Sequence, residues 1–80
     1  MRLDKFLKIS RIIKRRPVAN EACDAGRVAV NGKPAKAALL IKPGDVIEVH
    51  FGSNVTKIEV QHTKEQVRKE EASGMYRSLP

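Results

Sequence analysis

The stretch KRRPVANEACDAGRVAVNGK, residues 14–33, passes from a helical pattern to a strand pattern across a single glycine. Pro17 is favoured at the first position of a helix, because its missing N–H would have no intrahelical partner there. Small apolar residues then recur at helical spacing: Val18, Ala19, Ala22 and Cys23. Gly26 can adopt the positive φ that often ends a helix. The stretch therefore predicts a helix over residues 17–25, with these small residues as its packing face.

The second part of the same stretch predicts a β-hairpin. Val28 to Val30 form a short apolar run, and the Asn31-Gly32 dipeptide that follows is preferred in two-residue hairpin turns. Pro34 has no N–H to donate, so it limits the return strand to a sheet edge or a very short piece.

The flanking segments add one helix and two strands to this unit. Leu3, Phe6 and Leu7 lie at i, i+3 and i+4, which predicts a short amphipathic helix near the N-terminus. Residues 46–51 alternate in the manner of a strand after a Pro-Gly-Asp turn, and residues 55–61 form another strand after a Gly-Ser-Asn turn.

The last eighteen residues are strongly polar. Thr63 and Gln66 fit the capping box of one more helix, but few side chains there could face a core, so we expect a frayed helix or a mobile tail. The predicted fold class is α+β, with two short N-terminal helices packed on a small, curved antiparallel sheet. We expect one domain over residues 1–62, followed by a charged tail over residues 63–80.

The positive charge is confined to the first half of the chain. The formal net charge of the 80 residues is +7 and the sequence pI is about 10.0. Residues 1–36 carry ten basic and three acidic side chains, whereas the remaining residues carry six of each. A solubilising charge would be spread more evenly, so this distribution favours a polyanionic partner, nucleic acid before an anionic membrane surface.

Composition excludes several other classes of protein. One cysteine, Cys23, cannot form an internal disulfide, and its apolar helical spacing predicts a buried, unreactive thiol. No apolar run approaches the length of a membrane span, and the N-terminus does not resemble a secretory signal, so we expect a cytoplasmic protein without a membrane partner. His50 and His62 lack partners at metal-ligand spacing, and no nucleophile–base set is apparent. We therefore predict no metal, no cofactor and no enzymatic activity.

Several motifs together resemble the S-four-type (alpha-L) RNA-binding domain. They are the opening Arg-Leu-Asp-Lys-Phe-Leu, the Ser10-Arg11 step, the basic step before Pro17, Gly26-Arg27-Val28, Val30-Asn31-Gly32-Lys33 and Lys42-Pro43-Gly44-Asp45. The resemblance covers residues 2–51, and each motif alone is weak. Over its whole length the chain is also similar to the small stand-alone factors of bacterial ribosome-associated quality control, which are related to a heat-shock ribosome-recycling protein.

The resemblance implies a function and a set of partners. It implies binding to large-subunit rRNA and to the peptidyl-site tRNA on split large ribosomal subunits, in support of alanine tailing of stalled nascent chains. The protein that adds the alanine tail is then an expected partner on the same subunit, and we expect the chain itself to be a monomer. The nearest alternative is large-subunit recycling after heat shock without a role in tailing.

The expected RNA contacts are the cations of the first half together with the hairpin: Arg2, Lys5, Lys8, Arg11, Arg15, Arg16, Arg27, Asn31 and Lys33. Arg16 is expected at the N-cap, beside the outward N–H groups of Val18 and Ala19, where a helix N-terminus already favours anions. Helix geometry should place Lys5, Lys8 and Arg11 within a turn of one another. Asp4 has two candidate roles, a favourable interaction with the helix N-terminus and the orientation of a nearby arginine.

The aromatic content indicates what kind of RNA is bound. Phe6 and Phe51 lie in apolar registers and are expected in the core, which leaves almost no stacking platform for single strands. Structured RNA, recognised by shape and backbone, is therefore the expected target.

Two other classes of function stay open at this point. Two short helices with a basic entry to the second could mimic a helix-turn-helix regulator, although that helix offers no Arg, Lys or Gln for reading base edges. The other class is a protein-only adaptor whose basic face binds an acidic partner. The basic cluster of Lys14, Arg15 and Arg16 could also be a plain solvated face.

Overall fold

The computed structural model describes residues 1–80 and contains two α-helices, one 3₁₀ helix and a five-stranded antiparallel sheet. The elements are α1 Leu3–Ile9, α2 Arg16–Asp24, β1 Val28–Val30, β2 Lys33–Pro34, β3 Val46–Phe51, β4 Asn54–Val60, the 3₁₀ helix Lys69–Met75 and β5 Tyr76–Ser78. The strands lie in the order β2-β1-β3-β4-β5. The predicted α+β class is confirmed. No helix here combines the length and the apolar content that a membrane crossing requires.

Both predicted helices form and pack on a common core. Leu3, Phe6 and Leu7 of α1 are fully buried, as their spacing predicts, and the small residues Ala19, Ala22 and Cys23 of α2 are buried as well.

Helix α2 differs from its prediction in two respects. It begins one residue earlier, at Arg16, and ends at Asp24, so Arg15 is the N-cap and Arg16 the first helical residue. Val18 is 46% exposed, so the prediction that it belongs to the packing face was wrong. Because successive helical residues are about 100° apart, Val18 lies at the margin of the face that is centred on Ala19, Ala22 and Cys23.

The hairpin forms as predicted. Asn31 and Gly32 have φ of 53° and 84°, the left-handed conformation that a type I′ turn requires at both positions. Val30 pairs with Lys33 and Ala29 pairs with Pro34, so the return strand β2 is only two residues long and lies at the sheet edge.

Strand β3 alternates as expected, except at its end. Ile47 and Val49 are fully buried, but Phe51 is 42% exposed, so the prediction that Phe51 lies in the core was wrong. The last residue of β3 that pairs with β1 is Val49, and Phe51 lies two residues beyond it, opposite Asn54 at the turn. Fewer groups of the fold are therefore available to cover its ring.

The C-terminal residues have more structure than the expected frayed helix or mobile tail, and this expectation is corrected. Strand β5 pairs with β4, and Ala72 and Met75 of the 3₁₀ helix are 3% and 0% exposed. No capping box forms, since the 3₁₀ helix starts only after Arg68, which makes no side-chain cap. Val67 and Tyr76 also pack against the core, and β4 supplies backbone partners to β5, so this largely polar segment is docked on the fold.

Candidate RNA-binding surface

A buried carboxylate, Asp4, joins the N-termini of the two α-helices. Its side chain is 3% exposed. Arg2 donates to both oxygens, from Nε to Oδ1 at 3.2 Å and from Nη2 to Oδ2 at 3.3 Å. Asn20 donates to Oδ2 at 3.2 Å, the backbone N–H of Lys5 donates to Oδ1 at 2.8 Å, and Arg16 Nε lies 3.5 Å from Oδ2. Asp4 therefore orients two arginines, the second of its two predicted roles.

The contacts of Asp4 keep its carboxyl group ionised. Burial alone raises the pKa of Asp4, but hydrogen bonds from Asn20 and the Lys5 backbone and the charge of Arg16 outweigh burial, so the pKa lies below its usual value. Asp45 behaves in the same way: burial raises its pKa, and the backbone N–H of Lys42, the Asn31 amide and the Lys42 charge lower it further than burial raises it. Both groups are stabilised in their charged forms in the folded protein.

The lowered pKa of Asp4 predicts a loss of stability in acid. A carboxyl with a depressed folded pKa stabilises the protein above its unfolded pKa of about 3.9, and that stabilisation is lost as the pH falls through the folded pKa. We expect the free energy of unfolding to decline below about pH 4, by at most about 1.4 kcal/mol per pH unit for each such group. Urea unfolding followed by circular dichroism between pH 2 and 7 measures it.

The Asp4→Asn variant isolates the contribution of this carboxyl, because all other acidic groups titrate in both proteins. Its unfolding free energy should fall less steeply below pH 4 than that of the parent chain. Identical slopes in the two proteins would contradict the assignment.

Arg2 and Arg16 present guanidinium groups at a shallow groove that Pro17 and Asn20 complete. Both arginine side chains are 45% exposed while Asp4 holds them from the buried side. Arginine binds phosphate through two parallel N–H groups, and fixing its position reduces the entropy lost when it does so. The groove is thus suited to the backbone of a nucleic acid.

One detail of the expected anion site at α2 was wrong. The N–H of Ala19 does not point outward but donates to the carbonyl of Arg15 at 3.1 Å. The N–H of Val18 has no backbone acceptor in the fold, and the side chain of Arg16, the first helical residue, lies at the same end of α2.

A second basic groove lies at the other end of α1. Lys8, Arg11 and Lys14 line it, facing residues 65–67 of the C-terminal segment. Arg11 stands two residues after the end of α1 and has a positive φ of 64°, so helix geometry does not place it as predicted, although it does lie in the same groove as Lys8. Lys5 lines neither of these two grooves. Its Nζ forms an ion pair with Glu65 Oε1 at 3.4 Å.

The hairpin residues Asn31 and Lys33 belong to a third groove. The Asn31 side chain is already engaged within the fold: its amide donates to Asp45 Oδ1 at 3.1 Å, and its oxygen accepts from the Val46 N–H at 2.9 Å. This pair of bonds fixes the turn against the start of β3. Lys33 is exposed.

The remaining predicted contacts, Arg15 and Arg27, are exposed and line none of the three grooves. Sequence reasoning missed Asn20, which links α2 to Asp4. An amide opposite a carboxylate sixteen residues away leaves no local signal. It also missed Lys36 and Lys42, which join Lys33 at the third groove.

Cys23 is buried, as predicted, and its thiol is held protonated. Burial, followed by the negative charges of Asp4 and Asp24, raises its pKa to about 11. A thiol with so high a pKa carries almost no thiolate at neutral pH and is a poor nucleophile. No three side chains among the His, Cys, Asp and Glu residues come together as metal ligands would.

Two short helices on an antiparallel sheet, with paired arginines at the helix N-termini, define a small domain of the RNA-binding class. A family model described as the S4 domain matches residues 1–47, more than half of the chain. The structure of heat shock protein 15 of Vibrio cholerae, described as trimeric, superposes with a TM-score of 0.91 at 31% identity, covering 99% of this chain and 81% of that one.

Curated relatives narrow this class. The RQC P-site tRNA stabilizing factor of Halalkalibacterium halodurans is 54% identical over 95% of this chain and 86% of its own length. Its counterpart in Bacillus subtilis is 51% identical over 99% of this chain and 92% of its own length. The chain belongs to this family of S4-domain proteins, the RQC P-site tRNA stabilizing factors.

Proposed function

We propose that this chain is an RNA-binding factor of bacterial ribosome-associated quality control. It binds rRNA and the peptidyl-site tRNA on split large ribosomal subunits and supports C-terminal alanine tailing of stalled nascent chains. It acts in the cytoplasm, as a monomer and by binding rather than catalysis, together with the protein that adds the tail.

The observation that carries this proposal is the arrangement of Arg2 and Arg16 on Asp4. Both arginines are fixed from within by a buried carboxylate and left half-exposed outside, on the half of the chain that carries the whole net charge. Phosphate contacts supply most of the affinity for nucleic acid, and positioned arginines make them in defined geometry. The names of the two relatives refer to a P-site tRNA, which supports a tRNA on the ribosome as one such polyanion.

The other predicted contacts extend this surface in the proposal. Lys8 and Arg11 at the second groove, Arg15 beside α2 and Arg27 with Lys33 near the hairpin supply further cations for the sugar–phosphate backbone. Lys5 and Asn31 contribute less, because Lys5 is paired with Glu65 and the Asn31 amide already bonds Asp45.

The test measures binding of the purified chain to large subunits that carry peptidyl-tRNA. Arg2→Ala and Arg16→Ala should each weaken binding about tenfold near 150 mM salt, and each lost phosphate contact should reduce the log–log salt slope by about 0.7–0.9. Cells that carry either variant should add fewer alanine tails to stalled chains.

Arg68→Ala is the matched control, because it removes the same side chain from an exposed position before the 3₁₀ helix. It should bind within about twofold of the parent chain, since it lies outside the proposed surface. If all three variants bound as tightly as the parent chain, the proposed site would be refuted. Unchanged alanine tails in a strain that lacks the gene would refute the tailing role.

The similarity to heat shock protein 15 favours one alternative, recycling of large subunits after heat shock without tailing. The same deletion strain separates the two, because recycling alone predicts normal tails and a growth defect that heat makes worse. Competition of duplex DNA against ribosomal RNA at about 150 mM salt tests the DNA-binding alternative, for which base contacts from α2 are missing.

A further inference from the structure

The third groove has a composition unlike that of the two arginine- and lysine-lined grooves on the helices. It lies beside the edge strand β2 and the loop over residues 35–45, with a volume of about 720 Å³. Lys33, Lys36 and Lys42 line it together with two exposed aliphatic side chains, Leu39 and Leu40. We call these five residues the lysine–leucine groove.

The two leucines are exposed in a fixed position. Leu39 is 42% and Leu40 is 72% exposed. The N–H of Leu3 donates to the Leu39 carbonyl at 2.8 Å, the N–H of Ile41 donates to the Met1 carbonyl at 2.9 Å, and Leu40 forms an antiparallel bridge with Arg2. A rigid apolar pair rimmed by charged residues has the character of a protein interface.

The charge of the groove selects an acidic occupant. Lys33 and Lys36 form no ion pair within the fold. Lys42 lies 3.5 Å from Asp45, but that carboxylate is buried and already accepts hydrogen bonds from Asn31 and the Lys42 backbone. Three lysines therefore line the groove beside the leucines, and the one carboxylate in its lining, Asp45, is buried.

The leucines favour a protein over RNA as the occupant. An aliphatic side chain offers nothing to a phosphate, and no aromatic ring lines the groove on which a base could stack. Strand addition at β2 is also disfavoured, because Pro34 lacks the N–H that a new strand would need. Recognition must therefore run through side chains.

We propose that the lysine–leucine groove docks an acidic peptide segment of a protein partner. One apolar side chain of the segment packs against Leu39 and Leu40, and its carboxylates pair with the three lysines. This interaction does not depend on the proposed RNA function, although Lys33 is also among the predicted RNA contacts.

The experiment uses the full chain and a synthetic ten-residue peptide of Asp and Glu with one central leucine. Amide chemical shifts should change saturably at residues 30–45 as peptide is added. Leu40→Asn should weaken binding about tenfold, and so should replacing the peptide's leucine by serine, a change of about 1.4 kcal/mol. Since the Leu40 side chain is mostly exposed, this variant should fold normally.

Val55→Asn is the matched control, because Val55 is 56% exposed on β4 outside the groove. It should bind the peptide within about twofold of the parent chain. An RNA hairpin offered to the same variants should bind Leu40→Asn as well as it binds the parent chain.

Three results would overturn the proposal. One is the absence of saturable shifts up to about 1 mM peptide, the weak end of specific binding. The second is peptide binding that Leu40→Asn leaves unchanged. The third is a loss of RNA affinity in Leu40→Asn as large as its loss of peptide affinity, which would assign the groove to RNA instead.

Discussion

Changing Asp4 to asparagine should lower the free energy of unfolding by about 1–3 kcal/mol and weaken the proposed RNA binding as well. The carboxylate accepts from Arg2, Asn20 and the Lys5 backbone and pairs with Arg16. An amide of the same size keeps one acceptor oxygen but turns an NH₂ group toward donors that it cannot satisfy. The arginines are half-exposed, so water solvates them when the pair is broken and the cost stays below that of a fully buried pair.

Loss of RNA affinity in Asp4→Asn would show that Asp4 acts by positioning the arginines, since the variant loses a negative charge and charge alone predicts tighter binding. Glu59→Gln is the matched control, because it also removes one negative charge, but on β4, where Glu59 pairs with Arg77 at 2.9 Å. Urea unfolding and subunit sedimentation should both report small changes for Glu59→Gln. If Asp4→Asn bound more tightly, as charge alone predicts, the positioning role would be refuted.

Changing Met75 to alanine should lower the free energy of unfolding by about 2–5 kcal/mol. Met75 is fully buried in the core although it lies in a segment that reads as polar in the sequence. Truncating it removes buried apolar surface and leaves a cavity beneath the 3₁₀ helix. The backbone carbonyl of Met75, which accepts from Gln61 at 2.8 Å, is unchanged by the substitution.

Urea unfolding of Met75→Ala, with Val55→Ala as the control, measures this effect. Val55 is 56% exposed, so its truncation should cost under about 1 kcal/mol. A chain that ends at residue 68 should be at least as unstable as Met75→Ala, because it also loses the pairing of β5 with β4. Equal stability of the parent and Met75→Ala would restore the original expectation of a detached tail.

The sequence predicted those parts of the fold that depend on neighbours within a few residues. The stripe of α1 follows from side chains three and four residues apart, and the type I′ turn follows from the backbone preferences of Asn31 and Gly32. Errors arose where burial depends on coverage by distant elements. Phe51 has the correct register but lies beyond β1, and Val18 has an apolar side chain at the margin of its helix face.

The candidate site divides in the same way. Which cations could bind RNA was evident from the excess of charge in residues 1–36. How they are grouped was not evident, because Arg2 and Arg16 meet at Asp4 only when α1 packs on α2, and Arg11 leaves the helical path at a positive φ. Leu39 and Leu40 occur in an apolar run of the sequence, and the structure leaves them at the surface.

The sequence by itself thus determined the α+β class, the two helices, the hairpin and the basic half of the chain, because periodicity, turn chemistry and charge are local properties. Only the tertiary structure decided that Asp4 holds two arginines, that Met75 docks the C-terminal segment and that three lysines line one groove with an exposed pair of leucines. Each of these depends on groups that are distant in the chain and adjacent in the fold, and hydrogen bonds and apolar packing act only between groups in contact.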